Sequence, residues 1–147
     1  MIIVITRWES GWFSFNQGQI TEFSLWDQIC KAYKVDRIIF IPKLMRSTLE
    51  QYDRIEEALD RVVGKKVFLE RKNRAEEIGR KPIYLKDFHH PDDAVYIFGN
   101  SSTDNSRWAM DGDIILSIKT PSNVDMFGST VLGIVLYDRQ VKANDGR

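Results

Sequence analysis

The chain has 147 residues, 43% of them hydrophobic and 29% charged, with 21 basic and 21 acidic side chains that cancel. That profile is one soluble globular domain, long enough to bury roughly 68–70% of its unfolded surface without disulfides or a structural metal. The zero net charge argues against a wholly basic nucleic-acid coat protein, although a neutral total can hide a basic face. The single cysteine, Cys30, excludes an intrachain disulfide scaffold and fits a reducing cytoplasm. Met1 to Ile5 is too short an apolar run for a signal peptide or a membrane span, so neither export nor anchoring is expected.

Short β-branched runs alternate with helical periodicity, which predicts an α/β domain with a mainly parallel sheet. The first strand is expected over Ile2 to Thr6, followed by a loop containing Gly11, Asn16 and Gly18. Ser24 is read as the cap of a helix with Leu25, Trp26, Ile29, Cys30 and Tyr33 on one face. Arg37 to Ile41 is the second strand, ended by Pro42. Ser47 and Glu50 have the spacing of a capping box, predicting a helix with Leu49, Tyr52, Ile55, Leu59, Val62 and Val63 on one stripe and Gly64 as its C-cap. Lys66 to Leu69 is a third strand, and Asn73 starts a short helix that stops at Gly79. Ala94 to Phe98 reads as a strand buried on both faces. Gly99 to Asn105 is a loop, Asp113 to Ile118 another strand, and Pro121 to Asn123 a turn. Met126 to about Tyr137 is a helix apolar nearly all round, expected to be deeply packed or dimer-forming. There is no internal repeat or linker, so residues 1–147 are expected to form a single domain.

Charge is uneven along the chain. Arg61 to Lys81 holds eight Lys or Arg against three Glu, and Lys65, Lys66, Arg71, Lys72 and Arg74 are candidates to track an RNA backbone. The same run also fits an ordinary solvated surface. His89 and His90, beside Asp92 and Asp93, suggest metal ligands, but adjacent histidines rarely face one ion and the chain has no other His, so no metal is expected. No nucleophile–histidine arrangement, GxxxxGK[ST] or GxGxxG occurs. Three strand-end loops remain: Phe98-Gly99-Asn100 after Ile97, Ile118-Lys119-Thr120-Pro121 after Leu116, and Met126-Phe127-Gly128-Ser129. Ligands of open α/β sheets bind beyond the carboxyl ends of strands, though these glycines also suit tight turns and close packing.

The segment His90-Pro91-Asp92-Asp93-Ala94-Val95-Tyr96-Ile97-Phe98-Gly99-Asn100, with Asp113-Ile114-Ile115-Leu116-Ser117-Ile118 and Leu132-Gly133-Ile134-Val135-Leu136-Tyr137-Asp138, resembles the SpoU branch of the SPOUT methyltransferases. That resemblance implies a C-terminal trefoil knot over about residues 94–140, a catalytic domain without an appended RNA-binding module, and a homodimer through the last helix and the knot. It also implies an S-adenosylmethionine site at Ile97, Phe98, Gly99, Asn100, Leu116, Ile118, Thr120, Met126, Phe127 and Gly128, and methyl transfer to a ribose 2′-hydroxyl of tRNA or rRNA. The family's first motif, Asn-x-Gly-Asn-x-x-Arg, is echoed by Asn16-Gln17-Gly18-Gln19, but its arginine position holds Glu22, or Gln28 in the other register. Arg7 is the nearest substitute, so Arg7 and Asn16 are the candidate catalytic residues. The Glu expected soon after Phe-Gly is replaced by Asn100-Ser101-Ser102, and the expected Ser-x-Asn-x-Ser by Val124 to Ser129. The same departures leave open a degenerate dimer that binds RNA or cofactor without methyl transfer, and beyond it a plain interaction domain.

Overall fold

A computed structural model describes residues 1–7, 16–43, 48–99, 105–122 and 124–146, with the backbone alone over 16–21. In chain order the elements are β1 (Ile2–Arg7), α1 (Asn16–Ala32), β2 (Arg37–Ile41), β3 (Glu50–Gln51), α2 (Ile55–Leu59), β4 (Lys65–Leu69), α3 (Lys72–Glu77), β5 (Ile83–Tyr84), β6 (Ala94–Phe98), β7 (Ile114–Ser117) and α4 (Gly128–Asn144). The strands form one seven-stranded sheet in the order β3-β2-β1-β6-β4-β7-β5. Every pairing is parallel. β6 pairs with both β1 and β4, and all five of its residues are buried. Parallel strands covered on both faces read as continuous apolar runs, which is why Ala94 to Phe98 was legible as a central strand.

The two faces have separate cores. On one, Trp26 and Cys30 of α1 and Leu132, Val135 and Leu136 of α4 cover Val4, Phe40, Tyr96, Phe98 and Leu116. On the other, Ile55 and Ala58 of α2, Ala75 of α3 and Ala109 cover Ile3, Ile5, Phe68, Val95, Ile97 and Ile115.

Several predicted boundaries move, each for a tertiary reason. Ser24 lies inside α1, because the apolar stripe extends back to Phe23, whose ring packs 5.7 Å from that of Phe40. Glu50 is a strand residue: it takes Arg37 through bonds of 3.0 and 2.6 Å and the Tyr52 hydroxyl at 2.7 Å. These partners hold the segment extended, so α2 has only five residues; Ser47 lies outside the described residues. Gly64 leads into β4 at φ 139°, where a Cβ would sit 3.0 Å from the Asp93 carbonyl oxygen. It is a site of close backbone approach and caps no helix. Asn73 lies within α3, whose N-cap is Arg71. The last helix starts at Gly128 and runs on to Asn144. Leu132, Val135 and Leu136 face inward, while apolar Ile134 and Tyr137 are exposed on the other side. Edge strand β5 has no apolar run to announce it.

α4 is fastened to the N-terminal edge of the sheet by buried polar groups. His90 Nδ1 lies 2.6 Å from the Tyr96 hydroxyl and Nε2 lies 2.7 Å from Asp138. Arg139 donates to that hydroxyl at 3.0 Å and to the Pro91 carbonyl at 2.6 Å. Lys142, also buried, donates to the carbonyls of Leu85 and Phe88 at 2.5 and 2.9 Å and pairs with Asp138 at 2.8 Å. A neutral His90 carrying its proton on Nε2 satisfies the whole chain, since Tyr96 then donates to Nδ1. Its pKa is lowered from 6.5 by burial, against the pull of Asp138 and with the push of Arg139 and Lys142.

The C-terminal edge is held by a second network. Buried Asn105 donates through Nδ2 to the carbonyls of Leu69 at 3.0 Å and Ile97 at 2.6 Å, tying β4 to β6. The Glu70 carboxylate accepts the backbone N–H groups of Arg71, Asn105 and Ser106 and the Ser106 hydroxyl. Ser117 donates to the Glu70 carbonyl, joining β7 to the end of β4.

Each network yields a test. Because folded His90 binds a proton less readily than unfolded His90, stability falls as the pH drops through 6.5. Thermal melts between about pH 7.5 and about pH 5.5 should show a smaller fall in Tm for His90→Gln than for the parent chain; equal falls would exclude His90 as the source. Asn105→Leu strands two buried carbonyls and is expected to cost about 2–4 kcal/mol in urea denaturation. A cost below about 1 kcal/mol would mean that water replaces the amide.

Candidate functional site

Parallel pairing brings the ends of β6, β4 and β7 to one edge in register. Phe98 and Leu116 both stand opposite Leu69, one on each side of it, so they lie about 10 Å apart across β4. The start of α4 reaches the same place. A Cβ on Gly128 would lie 3.0 Å from Cζ2 of Trp26, and the Trp26 ring meets Phe98 edge-on with centroids 5.2 Å apart. Trp26 is buried, so hydrogen at residue 128 is what admits the helix this close. Above this floor, Gly99, Ile118 and Met126 are half-buried, while Val124 and Phe127 are 76% and 72% exposed. Exposed apolar side chains beside a glycine-lined strand end suit a flat, partly apolar ligand such as a nucleoside, held by main-chain groups.

Not every residue of the predicted set reaches that place. The Ile97 side chain belongs to the opposite core, and its carbonyl is bonded to Asn105. Thr120 is exposed and donates to the Ser122 carbonyl at 2.8 Å. Asn100 lies outside the described residues. A shallow pocket lined by Ile2, Tyr33, Leu136, Arg139, Gln140 and Ala143 opens elsewhere, beside α4 and away from these loops.

Arg7 ends β1 on the face of Ile3 and Ile5. Its guanidinium lies 5.6 Å from the centre of the Trp108 ring, and that of Arg107 lies 5.1 Å from the same ring. Partial burial and the positive charge of Arg107 lower the Arg7 pKa, with Glu56 opposing. Asn16 opens α1, where only the backbone is described. Glu22, in the position where the resemblance expects arginine, accepts the Trp26 indole N–H at 3.2 Å.

The basic run is divided by β4. Lys65 and Lys66 start the strand, whereas Arg71, Lys72 and Arg74 follow its other end, about 13 Å away at strand rise. Arg71 pairs with Asp125 at 2.6 Å, bracing the β7–α4 loop against the start of α3. His90 is committed to the α4 network, and among the described residues no three His, Cys, Asp or Glu side chains are grouped to hold a metal. The Cys30 thiol is buried, which with nearby Asp27 pushes its pKa up to about 12 and makes it a poor nucleophile. Glu70, Asn105 and Trp108 were not foreseen, because nothing in local spacing separates a loop asparagine from one that ties two strands together.

No protein-family model and no curated protein matches the chain. Solved structures do. One concerned with 2-OH methylation of C/U34 on tRNA aligns at a TM-score of 0.65 with 15% identity, covering 100% of this chain and 98% of that one. The TrmH/SpoU tRNA modifying enzyme of A. aeolicus aligns at 0.72 with 14% identity, over 99% of this chain and 77% of its own. The SpoU methyltransferase AviRb of Streptomyces viridochromogenes, in complex with the cofactor AdoMet, aligns at 0.71 with 12% identity, over 99% and 61%. Likeness at such low identity concerns architecture alone, and on that ground the chain has the SpoU methyltransferase fold over its full length.

Proposed function

We propose that this chain is an S-adenosylmethionine-dependent RNA methyltransferase acting on a ribose 2′-hydroxyl of tRNA or rRNA in the cytoplasm. The observation that carries the reading is the end-to-end likeness to SpoU structures, one of them in complex with AdoMet and one concerned with 2-OH methylation on tRNA. The gathering of Phe98, Leu116 and Gly128 at one edge supports it, because that edge offers the apolar floor and main-chain rim that a nucleoside cofactor requires. Gly99, Ile118, Met126 and Phe127, at the same strand ends, complete the proposed set of cofactor residues, and Asn100 joins them on the resemblance alone. In the same reading residues 94–140 are knotted, and a homodimer forms through α4, whose exposed Ile134 and Tyr137 suit such a contact.

The bound cofactor supplies an activated methyl group on a sulfonium sulfur. The protein's part is positioning, an effect worth up to about 7–11 kcal/mol of barrier when two reactants are held in line. Arg7 orients the ribose hydroxyl or its phosphate, with Asn16 at the start of α1 as the second polar candidate. A second reading, a fold that binds cofactor or RNA without transferring methyl, is favoured by one observation: Glu22 stands in the expected arginine position and is engaged by Trp26.

Calorimetric titration with S-adenosylmethionine and S-adenosylhomocysteine, paired with transfer of a tritiated methyl group to total tRNA and rRNA, tests both readings. Binding with transfer is expected, and Phe98→Asp should abolish both. Binding without transfer selects the second reading. No binding at millimolar cofactor would overturn the methyltransferase.

A further inference from the structure

The balanced charge of the chain conceals an uneven distribution over the fold. The C-terminal edge of the sheet carries Arg7 after β1, Arg71, Lys72 and Arg74 after β4, Arg107 after β6 and Lys119 after β7. Among the described residues, several carboxylates at that edge are engaged. Glu70 accepts three backbone N–H groups and a hydroxyl, Asp125 pairs with Arg71, and Glu76 lies 3.8 Å from Lys72. Glu56 acts on Arg7. At the opposite edge Asp36 takes the Ile2 N–H and Asp93 pairs with the Met1 ammonium at 2.7 Å, beside exposed Asp92 and the two lysines that start β4.

Two clusters at the basic edge are built on aromatic rings. Arg7 and Arg107 both rest on Trp108, at 5.6 and 5.1 Å. Lys119 Nζ lies 6.0 Å from the centre of the Tyr84 ring, and the same tyrosine is the main influence that raises the pKa of Lys72. Gathering like charges on one ring is unfavourable in isolation and becomes favourable when an anion joins them. The exposed Arg107 guanidinium, lying on the Trp108 face, presents the planar fork of N–H donors that suits phosphate. Arg107, Lys72 and Lys119 are exposed, so a polyanion can reach them. The clusters are set apart by the sheet itself. β1 and β5 are four strand spacings apart, about 19 Å, with β6, β4 and β7 between them.

We propose that the two clusters form a phosphate clamp for one RNA strand: Arg7 and Arg107 on Trp108 grip the backbone on one side of the β6 and β7 loops, and Lys72 and Lys119 on Tyr84 grip it on the other. The proposal rests on the RNA methyltransferase reading for the identity of the polyanion. Its residues come from the fold, because three of the four lie outside the basic run of the sequence. Lys65 and Lys66, within that run, are at the far edge and take no part.

The test is fluorescence anisotropy of a labelled single-stranded RNA of about 20 nucleotides, titrated with the full chain across a salt series. The parent is compared with Arg107→Gln/Lys72→Gln/Lys119→Gln and with Lys65→Gln/Lys66→Gln. Removing three phosphate contacts should lower the slope of log affinity against log salt by about 2 and weaken binding at least about tenfold near 0.1 M salt. Thermal melts check that the triple variant, altered only at exposed positions, remains folded. Unchanged affinity and slope in the triple variant, loss confined to the Lys65/Lys66 variant, absence of RNA binding by the parent, or equal affinity for polyglutamate would each overturn the clamp. An S-adenosylmethionine titration of the parent separates this proposal from the reading beneath it. Cofactor binding with RNA affinity indifferent to the rim charges ends the clamp alone; rim-dependent RNA affinity without cofactor binding ends the methyltransferase alone.

Discussion

Parallel alignment of all seven strands is the constraint from which the rest of the structure follows. It requires each connection to cross from one edge to the other, and it covers both faces with helices, so the strands must be apolar on both sides. β6 meets that demand most fully, with Ala94, Val95, Tyr96, Ile97 and Phe98 all buried. Burying side chains the size of Val, Ile or Phe contributes roughly 1.5–3 kcal/mol each, so this strand anchors both cores. The same alignment directs every C-terminal strand end to one edge, and residues remote in sequence become neighbours there.

The two edges use polar chemistry in opposite ways. At the N-terminal edge His90, Tyr96, Asp138, Arg139 and Lys142 are bonded to one another or to backbone carbonyls, and the result fastens α4. At the C-terminal edge Glu70, Asn105 and Ser117 hold strand ends in place, while several cations and the apolar side chains of Val124 and Phe127 face outward. One edge is closed by its own contacts. The other is tied together beneath and leaves charged and apolar side chains turned to solvent.

How much of this was legible depended on the range of the interactions. β2 and β6 were placed to the residue, and β1, β4 and β7 within one residue at either end, because a buried parallel strand writes its whole pattern locally. The helices were harder. Ser47 and Glu50 had good capping spacing, yet Glu50 bonds to Arg37 thirteen positions earlier, and that partner prevails. The strand-end loops were singled out by the rule that ligands sit at carboxyl ends, and the structure brings the ends of β6, β4 and β7 to one edge in register. The basic run is not one surface: β4 carries its two halves to opposite edges, and Arg7, Arg107 and Lys119 lie at the same edge as one of them. No periodicity encodes an indole ring shared by two arginines a hundred residues apart.

The position of β6 in the sheet also bears on how the chain is made. Ala94 is opposite both Ile2 and Lys65, so the central strand is supplied after both of its neighbours. During synthesis β1 and β4 cannot be joined through it until residue 98 has left the ribosome, and until then each presents an open parallel edge. Completing the sheet is thus an act of insertion rather than of extension, with the unpaired edges exposed to any other chain for as long as translation of the preceding stretch takes.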